Sequence, residues 1–393
     1  MQIELNKKQA NLKIEIREYL QDLLTHRLLK ELQDPSYFEG GGPEFRKALL
    51  RMGNDGWIGL SWPKSLGGKE FSPIEQYIFV EEIMRTGFPF PFLTTESVGP
   101  MIANYGSDYA KDNIAKRILT GELIFAIGYS EPNAGTDLAS LTTRADKTPK
   151  GWMINGQKIW TSLANFADYV WLAARTNQGA KKHKGISMFI VPTDDPGFSC
   201  HPIHTLGDVR TNTTHYDNIE ISDDFLVGEI DEGWSLITSQ LNLERLALVN
   251  HGPVEELYLN LLLQAKETQL QNGTRLANVP WVQDAFAKIY YKLEALKLIC
   301  WKQVWSQGNN NFSMTDASVA KVYGSEYFIE AYRMMMEIFG ELSLFKSNQE
   351  LTILNGKLER MYRTASILTF GGGTNEVQKD IIAMAGLFLP RSN

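Results

Sequence analysis

GELIFAIGYSEPNAGTD, residues 121–137, is where the pattern of the chain changes. Its first half is rich in β-branched and aromatic residues, and its second half is proline, glycine, asparagine and hydroxyls. That composition reads as a strand running into a loop. Upstream, from residue 1 to about 120, apolar residues recur at three and four in QANLKIEIREYLQDLLTHRLLKEL, PEFRKALLRMGNDGWIGL and SPIEQYIFVEEIMRTG. These are amphipathic helices, punctuated by GGGP at 40–43 and FPFPF at 88–92. The FPFPF run reads as a buried loop.

Downstream, five further short segments share the β composition: GWMINGQKIWTS, ADYVWLAARTN, GISMFIVPTD, FSCHPIHTLG and THYDNIEISDDFLVG. Six such segments separated by turn residues predict a β-barrel or sandwich. From about residue 229 the helical period returns in four long stretches, from EGWSLITSQLNLERLALV to SVAKVYGSEYFIEAYRMMMEIFG. They predict an antiparallel four-helix bundle, with Met334–Met336 as core packing. The fold class is therefore mixed: an N-terminal helical domain (1–120), a middle β-barrel or sandwich domain (121–228) and a C-terminal helical bundle domain (229–393).

Composition narrows the functional classes. Hydrophobic content of 43% and charged content of 22% suit a soluble globular protein. A formal net charge of −7 argues against a nucleic-acid partner. Cys200 and Cys300 cannot build a disulfide framework, and a reducing compartment is expected. No apolar run reaches the ~20 residues that span a bilayer, so no membrane partner is expected and cytoplasmic localisation is. MQIELNKKQANLKIEIREYL does not read as a signal or transit peptide. GxSxG, P-loop, HExxH and CxxC motifs are all missing. The pair His201 and His204 lies in a strand-like context, where a structural role is expected over a metal site.

The densest chemistry lies in SEPNAGTDLASLTTRA, residues 130–145, and NGQKIWTSLANFADYVWLAART, residues 155–176. Hydroxyls and backbone amides beside the Trp160 indole make a wall suited to a flat heteroaromatic ring. Near the C-terminus, LTFGGGTNEVQKDIIAMAGL, residues 368–387, brings a glycine loop to a helix start. Such a loop lets backbone approach a ligand, but it carries no proton-transfer group beside its glycines.

The SEPNAGTD and QKIWTS blocks, the stretch LGDVRTNTTHYDNIEI and the C-terminal GGGTNEVQ together resemble the acyl-CoA dehydrogenase family, in order and spacing over nearly the whole chain. The resemblance implies FAD bound between the β domain and the C-terminal bundle. It places Tyr129, Ser130 and Thr136 in the strand and loop facing the isoalloxazine ring, with Thr136 also near the acyl-CoA. Trp160 would pack on the flavin, with Thr161 beside it and Ser162 where a hydroxyl bonds N5. Gly373, Thr374 and Glu376 fall where the C-terminal loop meets the cofactor.

Many members of the family carry the catalytic glutamate immediately before the Gly-Thr of that loop. Here Gly372 occupies that position, and Glu376 lies four residues later. A minority, including isovaleryl-CoA, long-chain and bacterial steroid-side-chain enzymes, keeps the glutamate on an earlier helix in a motif resembling LxLER. Leu241–Leu246 matches that motif, which makes Glu244 the implied base. Its neighbours at helical spacing, Gln240, Leu241, Ala247 and Leu248, include no cation. A carboxylate on such a face has a raised pKa when buried, as a general base needs. Arg245 points some 100° away around the helix, with a structural role or a CoA contact implied.

The implied reaction is α,β-dehydrogenation of an acyl-CoA thioester. Glu244 removes the α-proton, hydride passes to flavin N5, and electron-transfer flavoprotein reoxidises the cofactor. The family's RxxFG motif is not evident in AKETQLQNGTRLANVPWVQDAF, and its Gln-x-x-Gly-Gly motif survives only as Glu337–Glu341. Both help hold the ADP half of FAD across a subunit interface. A homo-oligomer (dimer or tetramer) and a hetero-oligomer therefore both stay open. So do a non-catalytic structural subunit and action on a carrier-protein thioester. Small glycines in the C-terminal loop lean towards branched or bulky acyl groups.

Overall fold

The structure, a computed structural model, describes residues 4–309, 313–346 and 353–390, with only the backbone of residues 242–247, 353 and 355. The N-terminal part is helical: α1 (Lys7–Leu23), α2 (His26–Glu31), α3 (Pro43–Asn54), α4 (Pro73–Arg85), α5 (Gly99–Tyr105), α6 (Asp108–Ala110) and α7 (Lys116–Leu119). Capping residues set several starts. Asn6 and Gln9 form a capping box at α1, and Ser72 and Glu75 form one at α4. On α1 the predicted stripe of Leu12, Ile16, Leu20 and Leu23 is buried. Phe88 and Phe90 of the FPFPF run are buried in a loop, as expected.

Eight strands follow: β1 (Phe125–Gly128), β2 (Arg144–Thr148), β3 (Gly151–Lys158), β4 (Tyr169–Arg175), β5 (Ile186–Pro192), β6 (Phe198–His204), β7 (Arg210–Ile221) and β8 (Leu226–Val227). Their order is β6-β7-β3-β2-β4-β5-β8, with β1 pairing β4 in parallel. One residue pair, Arg144 with Arg175, joins β2 to β4, so the sheet consists of two halves. Trp152 on β3 and Phe189 on β5 meet across them at 5.3 Å. Six segments were expected where eight strands form. The extra strands are β2, whose RADKT sequence is polar and mostly solvent-facing, and the two-residue β8. The basic turn at 178–185 joins β4 to β5, with Lys181–Lys184 exposed.

The bundle contains α8 (Gly233–Leu248), α9 (Gly252–Glu267), α10 (Pro280–Gly308) and α11 (Met314–Phe339), followed by α12 (Lys357–Ala365) and α13 (Asn375–Ile381). Met334 and Met335 are buried in its core, as expected. The N-terminal helices, the sheet and α8 (Leu236, Ile237) share one apolar core, whereas α9 to α12 have their own. Tyr77 of α4 belongs to the bundle's core and meets Trp301 of α10 edge-on at 5.1 Å. Around that wedge, Arg85 of α4 pairs with Glu255 of α9 at 2.6 Å, and Lys297 of α10 pairs with Glu255 at 2.5 Å. This network fixes the bundle against the N-terminal helices.

Candidate active site

The end of β1 is pinned by a buried lysine. Lys158, at the end of β3, is fully buried. Its Nζ donates to the Tyr129 carbonyl at 3.0 Å and to Glu131 Oε1 at 2.9 Å. Glu131 also accepts from the Thr142 and Thr143 amides at 2.7 and 2.8 Å. Burial alone would raise the Glu131 carboxyl, but Lys158 and these N–H groups hold it down, to about 2. Burial lowers the Lys158 ammonium to about 8, against the pull of Glu131. β3 reaches this position through a register shift between Ile154 and Gly156. Gly156 has φ 149, and a Cβ there would lie 2.6 Å from Thr143 Oγ1.

The Ile159 amide donates to the Ser130 carbonyl at 2.9 Å, so the two blocks singled out in the sequence lie side by side. Trp160 follows with φ 61 and its indole 58% exposed. A left-handed conformation at a bulky aromatic is strained by roughly 1–3 kcal/mol. Bonds on the C-terminal side hold it: the Thr161 amide donates to Asn212 O at 2.9 Å, and Asn212 Nδ2 donates to Thr161 O at 3.0 Å. Thr161 is buried, its Oγ1 3.3 Å from Thr214 Oγ1, and so lines the support behind the indole. Ser162 Oγ donates to Thr211 Oγ1 at 3.2 Å. Ser130 and Ser162 keep part of their surface, and Thr136 is exposed beside Gly135, which has open space around it.

Tyr129 connects this edge to the bundle. Its buried hydroxyl accepts from Trp171 Nε1 at 2.9 Å and donates to Gln240 Oε1 of α8 at 2.9 Å. Gln240 Nε2 in turn donates to Ser97 Oγ of the N-terminal part. Three parts of the chain thus meet at Gln240. Glu244 lies one helical turn further along α8. Its side chain and that of Arg245 lie outside the described residues.

The C-terminal loop is pinned by a second buried lysine. Lys321 of α11 donates to the Gly373 carbonyl at 2.7 Å and to Asn375 Oδ1 at 2.8 Å. Gly372 and Gly373 have φ 68 and 96, which makes the sharp turn before α13 accessible to glycine. Thr374 caps α13 by accepting from the Val377 amide at 3.2 Å, and Glu376 is exposed. Ser318 Oγ fixes Gln378 at 2.8 Å. Lys321 and Ser318 thus tie this segment to α11.

Sequence reasoning missed Lys158, Glu131, Gln240 and Lys321. For Lys158 a signal existed: it shares parity with buried Trp152 and Ile154, and a charge on that face needs a partner. Other groups are chemically quiet. Burial pushes the Cys300 thiol up to about 12 and also raises Cys200. His201 stacks edge-on against His215 at 5.6 Å. Among the described residues no group of three or more His, Cys, Asp or Glu could hold a metal ion, and no helix is long and apolar enough to cross a membrane.

The sequence matches the acyl-CoA dehydrogenase N-terminal domain over residues 7–122, the middle domain over 126–219 and the C-terminal domain over 231–387. The chain belongs to the acyl-CoA dehydrogenase family. It is similar to acyl-CoA dehydrogenase FadE26 of Mycobacterium tuberculosis, at 45% identity over 100% of both chains. FadE29 of the same organism is 40% identical, over 100% of this chain and 99% of that one. Two solved structures are similar over 100% of both chains, each with a TM-score of 0.92. They are the ChsE4-ChsE5 complex from Mycobacterium tuberculosis, 45% identical, and the Tcur3481-Tcur3483 steroid ACAD, 40% identical.

Acyl-CoA dehydrogenases are FAD-dependent oxidoreductases, and this chain is an enzyme of that class with FAD as its cofactor. The strand-end residues fit such a group. An exposed indole held in a strained conformation offers a flat face, and the accessible Ser130, Thr136 and Ser162 hydroxyls can meet ring nitrogens and carbonyls.

Proposed function

We propose that this dehydrogenase oxidises the α,β-bond of a bulky acyl-CoA thioester, with Glu244 as the base that takes the α-proton. The observation that carries this reading is the Tyr129–Gln240 bond at 2.9 Å, which ties the strand-end edge to α8 one turn before Glu244. Bound FAD supplies the hydride acceptor. Trp160 would cover a face of the ring, Ser130 and Ser162 would meet its polar edge, and Thr136 would lie towards the thioester. Tyr129 and Gln240 keep α8 at a fixed distance from that edge. Gly373, Thr374 and Glu376 would form a further cofactor contact, with Lys321 fixing the loop; Arg245 would serve structure or CoA.

The bulky acyl group is supported by a relative described as a steroid ACAD, and by glycine at position 372. Electron-transfer flavoprotein is the proposed acceptor, and the cytoplasm the proposed compartment. The eroded RxxFG and Gln-x-x-Gly-Gly motifs, together with the two-component names of the similar structures, favour a hetero-oligomer. They also support a second reading, in which the chain holds FAD only jointly with a partner subunit.

The visible spectrum of the purified protein, titrated anaerobically with acyl-CoA thioesters, tests both. The first reading expects a flavin band that bleaches, and a Glu244→Gln variant that binds thioester but reduces flavin about 10²–10⁴-fold more slowly. A variant as fast as the parent would sink Glu244 as base. A colourless protein that takes up no added FAD would establish the second reading.

A further inference from the structure

The helix that carries Glu244 and the loop that carries Gly372–Thr374 belong to different packing bodies. Leu236 and Ile237 of α8 lie in the apolar core of the N-terminal helices and the sheet, and Leu241 packs against it. The glycine loop is tied instead to α11, whose apolar residues lie in the core of α9 to α12. The two bodies meet just past the end of α8, where Val249 packs against Gly324.

A closed ring of buried hydrogen bonds ties α8 to its own body. It starts on the wide helical turn Leu93–Val98. Thr94 Oγ1 accepts from the Phe125 amide at the start of β1 at 2.9 Å, and Ser97 Oγ accepts from Gln240 Nε2. Just past the other end of β1, Tyr129 closes the ring on Gln240 Oε1. Thr94, Ser97, Trp171 and Gln240 are fully buried, so water cannot replace a lost partner. The polarity of the ring is fixed as well. The Trp171 indole N–H can only donate, so the Tyr129 oxygen accepts from it and passes its own proton to Gln240 Oε1. That leaves Gln240 one amide orientation, with Nε2 towards Ser97. Position 244 lies four residues further on, on the same face of α8.

We propose that Ser97, Gln240 and Tyr129 are positioning residues that key the base-bearing turn of α8 to the strand-end edge, so that the placement of the base does not depend on how the glycine loop sits. This inference rests on Glu244 as the base of the reaction proposed above. A misplacement of about 1 Å at a reacting group costs on the order of 10²-fold in rate. A base held by the sheet's own body escapes that cost when the bundle and its loop shift.

The test follows anaerobic flavin reduction in FAD-loaded protein by a thioester that bleaches the parent, with thioester binding measured separately. Ser97→Ala and Tyr129→Phe should each slow reduction about 10–100-fold while thioester affinity holds. Because both act through Gln240, the double variant should be no slower than the slower single one. Gln240→Glu, whose buried carboxyl stays protonated and keeps one donor and one acceptor, should retain most of the rate that Gln240→Leu loses. Ser318→Ala loosens the segment after the glycine loop from α11 instead, and should leave the reduction rate of flavin-bearing molecules near the parent's. Reduction at the parental rate in Ser97→Ala overturns the proposal. So do single effects that multiply in the double variant, or a Ser318→Ala rate as low as that of Ser97→Ala. Should Ser97→Ala fail to fold, the Gln240→Glu and Gln240→Leu pair decides, and equal rates in the two overturn it. A slow Glu244→Gln beside a fast Ser97→Ala leaves the base standing and removes the positioning role. A fast Glu244→Gln, or a parent flavin that no thioester bleaches, removes both.

Discussion

Glu131 and Glu96 are two enclosed carboxyls within one chain, and their surroundings make them opposites. Glu131 faces the Lys158 ammonium and the Thr142 and Thr143 amides, which hold it ionised in spite of burial. Glu96 faces the Gln76 amide and a cavity, and burial raises it to about 7. The first behaves as a rivet that joins the ends of β1 and β3 to the start of β2. The second remains titratable near neutral pH. The difference teaches that enclosure alone does not set a carboxyl's role; the partners available to its charged form do.

The sharpest way to break this contrast is to remove the cation. Lys158→Met should destabilise the protein by about 3–5 kcal/mol, because a buried carboxylate is left uncompensated. Chemical denaturation measures it, and adding Glu131→Gln should recover part of the loss. The acid limb of the parent supplies a second readout. With its folded pKa near 2 against 4.5 unfolded, Glu131 contributes stability that is complete above about pH 4.5 and lost as pH falls towards 2. That acid loss should vanish from the Lys158→Met curve.

A smaller effect tests the other carboxyl. Glu96 is raised from 4.5 to about 7, so its contribution is present below pH 4.5 and lost as pH rises to about 7. Glu96→Gln should therefore gain on the parent across that window, by on the order of 1–2 kcal/mol after allowance for its partial exposure. A flat difference between the two curves would mean that Glu96 is as well compensated as Glu131. The smallest effect on stability is expected at Trp160. The indole is exposed and its φ is 61, so Trp160→Gly should change stability by less than about 1 kcal/mol while weakening flavin retention. A large loss of stability there would place the indole in the structural rivet instead of the cofactor edge.

The elements that were legible from sequence were those with strong local periodicity. The stripe on α1, the long bundle helices and the apolar strands β4 and β5 follow directly from spacing. β2 was not legible because RADKT is polar, and it forms through pairing with Trp152–Asn155 of β3 rather than through its own apolar content. At the site, Ser130, Trp160 and Ser162 stood out as residue types suited to a flat ring, and the Ile159–Ser130 bond brings their two segments together. Lys158 and Lys321 did not stand out, because an isolated lysine reads as a solvated charge. Their partners lie 27 to 54 residues away in sequence.

By itself, the sequence determined the helical–β–helical order, the residue types at the strand-end edge, the LNLER segment at 241–245 and the glycine at 372. Those features are local, since propensity, periodicity and turn chemistry act over a few residues. The tertiary structure alone decided which charges are enclosed, which of them are paired, and that Gln240 links Tyr129 to Ser97. It also decided that Asn250 faces a cavity with an unpaired donor. Burial and pairing depend on chain segments far apart in sequence, so they exist only once the helices have closed over the sheet and the bundle.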